Sequence, residues 1–430
     1  MLTGCEPHKT QATANPFDHV SNVTLPNGLQ VYFYENHASP VITVHFWCRT
    51  GSRNEPEKYA GISHFFEHMF FKGSKHYGVG QMDRIIKALG GYNNAFTSIE
   101  YTGYYVALPA GNFDKAFDVL LDAIREPNFD PREIDLEREV VREEINRKQD
   151  NPTGALYEKF QNLIFAGSVY APPVLGTTAS VGGIDHEAFK TYLHSFYLPN
   201  NLCLIVAGDF DRKAVEAQIR KSVADWQPDP NAPLKPIAAV VPARTQVSSE
   251  QVTKDVNQVY GIIGYQYPGY QNEDSNLALD MASTLLAGGR SSRLFKRLYI
   301  QENLVQSVSV WVWPQEKSGA FGIDYVCPKE NVAKVKAIID EEMQRCITQP
   351  WDAGELDKVK SNLIANFEMG LETANDVARS IGEAWIYNRV PKLAAYPADV
   401  QAMTEARMKA ALAATVRAGT QVDLQVVPKR

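Results

Sequence analysis

The stretch GISHFFEHMFF, residues 61 to 71, places His64, Glu67 and His68 at i, i+3 and i+4. On a helix those positions share one face, because residues three and four apart are neighbours on its surface. Two imidazoles one turn apart can grip a single metal ion, and a carboxylate beside them can take a proton from water. This is the H-x-x-E-H pattern, the inverse of the H-E-x-x-H signature of zinc proteases. Phe65, Phe66, Met69, Phe70 and Phe71 surround the trio, which predicts a helix buried on most sides. Polar groups in such surroundings need partners, and a metal ion is one. The pattern alone also fits packed histidines satisfied by ordinary hydrogen bonds.

A zinc enzyme needs three protein ligands and an open fourth position. The best source of the third is the charged helix predicted over Glu133 to Lys148. Glu137 and Glu144 are two helical turns apart there and point the same way. Mixed charges at i and i+4 commonly form a solvated face, and spacing alone does not choose among Glu137, Glu139, Glu143 and Glu144. His76, beyond the Gly73 that ends the first helix, reads as a loop residue, and His45, in a strand, as structural.

The elements that must position these groups can be traced along the chain. Val23 to Leu25 and Leu29 to Tyr34 flank Pro26-Asn27-Gly28, a strong hairpin signal. Val41 to Cys48 reads as a third strand, residues 80 to 89 as a helix, and Ala95 to Leu108 as one long strand after Gly90-Gly91. Helices follow at about 112–125, 131–149, 154–164 and 184–195, then the strand Leu202 to Ala207 and a helix after Asp211. Between Trp226 and Arg244 lie Pro228, Pro230, Pro233, Pro236 and Pro242, which suit neither helix nor sheet interior. The second half repeats the alternation, with strands near 257–265, 305–313 and 319–326 and helices near 273–286, 330–347, 353–370 and 374–389.

The expected fold class is α+β, with two homologous domains, each a mainly antiparallel sheet packed with helices. Their expected spans are 19–226 for the metal-binding domain and 245–430 for the second, joined by a Pro-rich linker at 227–244. The second half contains no histidine, so a histidine-based site belongs to the first. A chain of 430 residues with 44% apolar content suits two domains of ordinary size. A net charge of -7 without a dense Lys/Arg run argues against nucleic acid as a partner. No apolar stretch approaches the length needed to span a membrane. Cys48 and Cys203 lie in apolar runs and read as core thiols, and Cys327 and Cys346 show no metal spacing. Leu2-Thr3-Gly4-Cys5 resembles the end of a bacterial lipoprotein signal. It implies export to the periplasm and a lipid tether at Cys5, with residues 1–18 as a flexible N-terminal segment.

Six stretches together carry a wider resemblance: GISHFFEHMFFKGS at 61–74, NNAFTSIEYTGYY at 93–105, EREVVREEINR at 137–147, PVLGT at 173–177, FYLPNNLCLIVAGD at 196–209 and LLAGGRSSRLFKRLYIQENLVQSV at 285–308. In these the chain resembles the pitrilysin family of zinc peptidases, which includes insulin-degrading enzyme and the mitochondrial processing peptidase. The resemblance implies a zinc endopeptidase acting on peptides or unfolded polypeptides, with one Zn²⁺ held by His64, His68 and Glu144. It implies Glu67 as general base and then proton donor, and Glu137 as a second carboxylate orienting a ligand or the water. It also implies that the strand edge at Asn94, with backbone contacts from Ala95 and Thr97, pairs with the substrate as an added β-strand.

One part of the family pattern is missing. Active members carry an arginine and a tyrosine seven residues apart in the second homologous domain, and the expected places here hold Tyr299 and Gln306. Arg290, Arg293 and Arg297 each find another residue type seven positions on. The chain therefore resembles the zinc-bearing subunit of a bacterial two-subunit peptidase, with a homologous subunit supplying the Arg/Tyr pair. A self-sufficient homodimer, with another arginine standing in, is the first alternative. A non-catalytic core or scaffold subunit is the second, and the intact quartet His64, Glu67, His68 and Glu144 argues against it.

Overall fold

The computed structural model describes residues 15–417 and 420–429, so Cys5 lies outside the described residues. In chain order the first half contributes β1 (Val20–Thr24), β2 (Gln30–Glu35), β3 (Val41–Cys48), α1 (Ile62–Phe70), α2 (Gln81–Ala88), β4 (Tyr92–Thr97), β5 (Thr102–Pro109), α3 (Phe113–Arg125), α4 (Pro131–Asp150), α5 (Pro152–Ile164), α6 (Thr178–Gly182), α7 (His186–Phe196), β6 (Leu202–Gly208) and α8 (Arg212–Ser222). The second half contributes β7 (Ser248–Lys254), β8 (Val259–Tyr267), α9 (Glu273–Ala287), a π-helical turn (Phe295–Gln301), β9 (Ser307–Pro314), β10 (Gly319–Cys327), α10 (Val332–Thr348), α11 (Glu355–Met369), α12 (Ala374–Ile386), α13 (Val390–Ala402), α14 (Glu405–Thr415) and β11 (Val422–Pro428).

The fold is α+β, and its duplication lives in the topology. The first sheet runs β1-β2-β6-β3-β5-β4 and the second β7-β11-β8-β10-β9. Without β1 the two orders correspond strand for strand. The single parallel pairing falls at the same place in each, β2 with β6 and β7 with β11, and every other pairing is antiparallel. Leaving aside 3₁₀ turns, two helical elements separate β3 from β4 and β8 from β9, and five α-helices lead from β5 to β6 and from β10 to β11 among the described residues.

Both faces of each sheet are covered, and the halves exchange helices to do it. Along β6, Leu202, Leu204 and Val206 turn into the first core, whereas Cys203, Ile205 and Ala207 face the other way. That is the period-two alternation of a strand buried on both sides, which reads in sequence as one continuous apolar run. The second face meets α12 of the other half, through Val377, Ala378, Ile381 and Trp385. Reciprocally, α5 of the first half lays Leu156, Phe160 and Ile164 on Ile262, Val422, Leu424 and Val426 of the second sheet. Each half thus completes the other's sandwich. Cys48, Cys203, Cys327 and Cys346 are buried free thiols.

The structure corrects several sequence expectations. The single strand expected over Ala95 to Leu108 is a hairpin, β4 and β5, turning at residues 98–101 with Ser98 N–H donating to Tyr101 O at 2.8 Å. Its turn contains no Gly, Pro or Asn, and the buried Glu100 there is held from distant segments rather than locally. The edge strand β7 alternates exposed and half-buried residues, too polar to stand out, and β11 pairs with it in parallel. The helix α13 carries an internal Pro397 that hid it. Residues 15–18 are not part of a flexible segment, because Phe17 is buried and its ring lies 5.9 Å from that of Phe367.

Candidate metal centre

The helix α1 begins without a side-chain cap of its own. Gly61 precedes it at φ 95°, and the first-turn N–H groups are taken by a distant carboxylate. Glu55 Oε2 accepts from Gly61 N–H at 2.7 Å and Oε1 from Ser63 N–H at 2.8 Å. Burial pushes the Glu55 carboxyl up to about 7, with those two N–H groups pulling the other way. A Cβ on Gly61 would stand 2.6 Å from Leu175 O, and one on Gly176 2.2 Å from Ala60 O. The glycine of the PVLGT stretch is therefore needed for close backbone approach to the start of α1. Phe65, Phe66, Met69 and Phe70 are buried and anchor the helix in the first core, while Phe71 is only partly covered.

The partner helix is α4. It starts at Asp130, which accepts from Arg132 N–H, with Pro131 in the first turn. Ile134, Glu137, Val141 and Ile145 form its buried stripe, Glu144 is half-buried beside them, and Glu139 and Glu143 face solvent. Helical phase therefore separates the four glutamates that spacing left open.

His64, His68 and Glu144 come together. Glu144 Oε2 lies 3.5 Å from His64 Nε2 and 3.4 Å from His68 Nε2. Ligand atoms bound at about 2.0–2.1 Å to a tetrahedral zinc stand roughly 3.3 Å apart. The donor set and its spacing fit that ion. Among the described residues it is the one His/Cys/Asp/Glu group with such spacing, all three ligand atoms lying within 4.8 Å of one another.

Glu137 sits behind the site. Its Oε1 is 2.8 Å from His68 Nδ1 and its Oε2 2.5 Å from Lys72 Nζ. A carboxylate on Nδ1 holds the proton there and leaves Nε2 as the lone-pair donor toward the metal position. Lys72, four residues after His68, was missed in the sequence, although the i,i+4 spacing was a legible signal. For His64 the corresponding Nδ1 is buried and has no partner among the described residues, so packing orients that ring.

Charge follows the geometry. Burial, then the neighbouring His68, draws the His64 pKa down to about 3, so this imidazole is neutral and free to donate a lone pair. Burial also lowers His68, but Glu137, Glu144 and Glu67 outweigh it and the net direction is up. For Glu137 burial raises the pKa, and the His68 and Lys72 hydrogen bonds reverse the shift, so it stays ionised.

Glu67 leaves α1 toward the sheet edge. Its Oε2 accepts from Thr97 Oγ1 at 2.5 Å, and burial raises its pKa against that hydrogen bond. Thr97 ends β4, the outermost strand of the first sheet. For Thr97, expected to lend backbone contacts, the structure shows a side-chain contact to Glu67. Asn94 lies exposed on the same strand, its Oδ1 accepting from Ala95 N–H at 2.9 Å, and Ala95 is buried. Neither makes a hydrogen bond to the metal-site residues among those described.

Comparison with known proteins shows the family. The model of the insulinase family (peptidase family M16) matches residues 30–178, and that of the peptidase M16 inactive domain matches residues 183–363. The zinc protease PqqE of Helicobacter pylori is 30% identical over 383 residues, covering 87% of this chain and 85% of its own. The chain belongs to peptidase family M16. An uncharacterised zinc protease of Streptomyces coelicolor is 28% identical over 369 residues, covering 85% of this chain and 80% of its own. The crystal structure of a protease from Helicobacter pylori superposes with a TM-score of 0.89 at 26% identity, over 95% of this chain and 99% of that one. A peptidase M16 inactive domain from Pseudomonas fluorescens shares the fold at 18% identity, with a TM-score of 0.87 over 96% of this chain and 98% of its own.

In this M16 chain the described residues of the second half hold no equivalent of the metal cluster. Tyr299 stands exposed on the π-helical turn, and Gln306 precedes β9 with its N–H on Val326 O. Arg293 is paired with Glu355 at 2.5 Å, and Arg297 with Glu342 and Glu341 at 2.8 and 2.6 Å. Both guanidiniums are committed to the second domain's own packing, leaving Arg290 as the exposed one of the three.

Glu137 offers a direct test. Glu137→Gln removes the charge that holds His68 Nδ1–H and strands Lys72, and such partners typically support metal affinity by roughly 10–100-fold. The expected result is zinc affinity weaker by that factor, read by competition with a chromophoric chelator. Unchanged affinity would return Glu137 to an ordinary ion pair.

Proposed function

We propose that this chain is the zinc-bearing subunit of a two-subunit endopeptidase that hydrolyses peptides or unfolded polypeptides. The observation that carries the reading is the convergence of His64, His68 and Glu144 on one point, with Glu67 on the same helix as the two histidines. The zinc protease name of the Helicobacter relative supports the same activity. His64, His68 and Glu144 hold the ion, and Glu137 fixes the tautomer of His68. Bound zinc supplies Lewis acidity toward a carbonyl and lowers the pKa of water. Glu67 takes the proton from the attacking water and returns it to the leaving amine, held in place by Thr97. The free edge of β4 offers backbone N–H and C=O groups to an extended peptide beside Asn94 and Ala95.

The grip on the substrate comes from a homologous partner. Arg293 and Arg297 are held by glutamates of the second domain: turning Arg293 outward would leave the half-buried Glu355 without its cation, and turning Arg297 outward would leave the buried Glu342 with Arg345 alone. The test compares zinc content and peptide cleavage for the chain alone and with a homologous subunit carrying the Arg/Tyr pair. We expect stoichiometric zinc in both, weak cleavage alone and strong cleavage together. Full activity of the isolated chain would overturn the two-subunit reading, and light scattering would then decide between monomer and homodimer. Export and a lipid on Cys5 belong to the same proposal. Mass spectrometry of the N-terminal peptide, with Cys5→Ser as control, reads them out.

A further inference from the structure

The second domain encloses a cavity of about 390 Å³ bounded by α9, α11, α12 and α13, and no metal-site residue lines it. That volume falls within the usual range of small-molecule sites. Its wall mixes aromatic and charged side chains: Tyr270 and Tyr387, with ring centroids 4.3 Å apart, and Tyr396 stand among acidic residues that include Glu383 and Asp399. One group in it is out of keeping with a simple packing void. Asp280, on α9, is half-buried and opens onto the cavity, and its one side-chain hydrogen bond among the described residues is a long one, 3.5 Å, from the Tyr396 hydroxyl. Burial pushes this carboxyl up to about 6, and the Tyr396 bond offsets only part of the cost.

The cations that could have neutralised Asp280 are engaged elsewhere. Arg389 and Lys392 pair with Glu273 at 3.4 and 3.5 Å, and Arg407 pairs with Asp274 at 2.9 Å. The cavity therefore sets tyrosine faces beside a carboxylate without a counter-ion among the described residues, in a lining whose five acids outnumber its three bases. A buried carboxylate is costly unless it is paired and hydrogen-bonded. We propose that the cavity binds an organic cation, an amine or guanidinium on a short apolar stem, with Asp280 as its counter-ion. A guanidinium or ammonium makes charge-assisted hydrogen bonds to the carboxylate while its stem packs on the tyrosine faces. Because α12 also covers the outer face of the first sheet, an occupant touching Ser380 and Ala384 bears on the element that joins the two halves.

The experiment is calorimetry on the full chain with agmatine and, separately, with the tripeptide Gly-Arg-Gly. Agmatine should bind one to one, equally well with zinc present or removed by a chelator, which separates this site from the metal centre. Asp280→Asn should weaken it by about tenfold or more, as expected for a hydrogen bond to a charged group. Binding of the tripeptide with similar strength assigns the natural cation to a peptide side chain, and binding of agmatine alone assigns it to a free amine. Should Asp280→Asn fail to fold, Ser380→Leu narrows the cavity without touching the carboxylate and must weaken agmatine in its place. Absence of agmatine binding at millimolar concentration, or binding indifferent to Asp280→Asn, overturns the proposal.

Discussion

Glu67→Gln is expected to remove peptide cleavage almost entirely while leaving zinc content unchanged. General-base catalysis contributes about 10²–10⁴-fold, and the amide has no basic site to replace it. The substitution is nearly isosteric, and its oxygen can still accept from Thr97 Oγ1. It touches none of the three ligand atoms, so the cluster of His64, His68 and Glu144 keeps its spacing. The two readouts therefore separate cleanly: metal by elemental analysis, turnover with the partner subunit present. Loss of zinc together with activity would mean that Glu67 holds the site rather than working in it. Normal turnover would remove Glu67 from the chemistry altogether.

What could be read before the structure was the chemistry that repeats locally. The trio on α1 is a property of helical spacing, and so is the shared direction of Glu137 and Glu144 on α4. Choosing Glu144 needed either the resemblance or the fold, because all four glutamates sit on one helix and only its packing against α1 turns two of them to solvent. The functional neighbours that escaped notice reach α1 from outside the helix itself. Glu55 caps α1 from outside the helix, and the Thr97 hydroxyl reaches Glu67 from thirty positions away. The duplicated domain showed as a similar order of elements, but the exchange of α5 and α12 between the sheets did not. An apolar helix face carries no label saying which sheet it will cover.

The same long-range logic sets the largest expected effect on stability, at Arg53. Its Nη1 donates to Glu100 Oε1 at 2.6 Å and to Glu316 Oε2 at 2.7 Å, and the Glu100 side chain is only 1% exposed. Glu100 also accepts from the Tyr170 hydroxyl at 2.5 Å and from Glu316 N–H at 2.9 Å. These contacts tie three places together: the segment leading to the Glu55 cap, the turn between β4 and β5, and the turn between β9 and β10 in the other domain. Arg53→Ala would leave Glu100 a buried carboxylate without its cation, a change that costs about 3–5 kcal/mol. Urea unfolding should register a loss of that size. Arg53→Ala combined with Glu100→Gln should recover part of it, since the penalty belongs to the stranded charge rather than to the missing arginine. Thr97 stands three residues from Glu100, so the single variant should also loosen the strand that positions Glu67, and cleavage should fall further than zinc binding. A loss below about 1 kcal/mol would make the cluster no more than an exposed ion pair, and the coupling between the two domains would then rest chiefly on the apolar packing of α5 and α12.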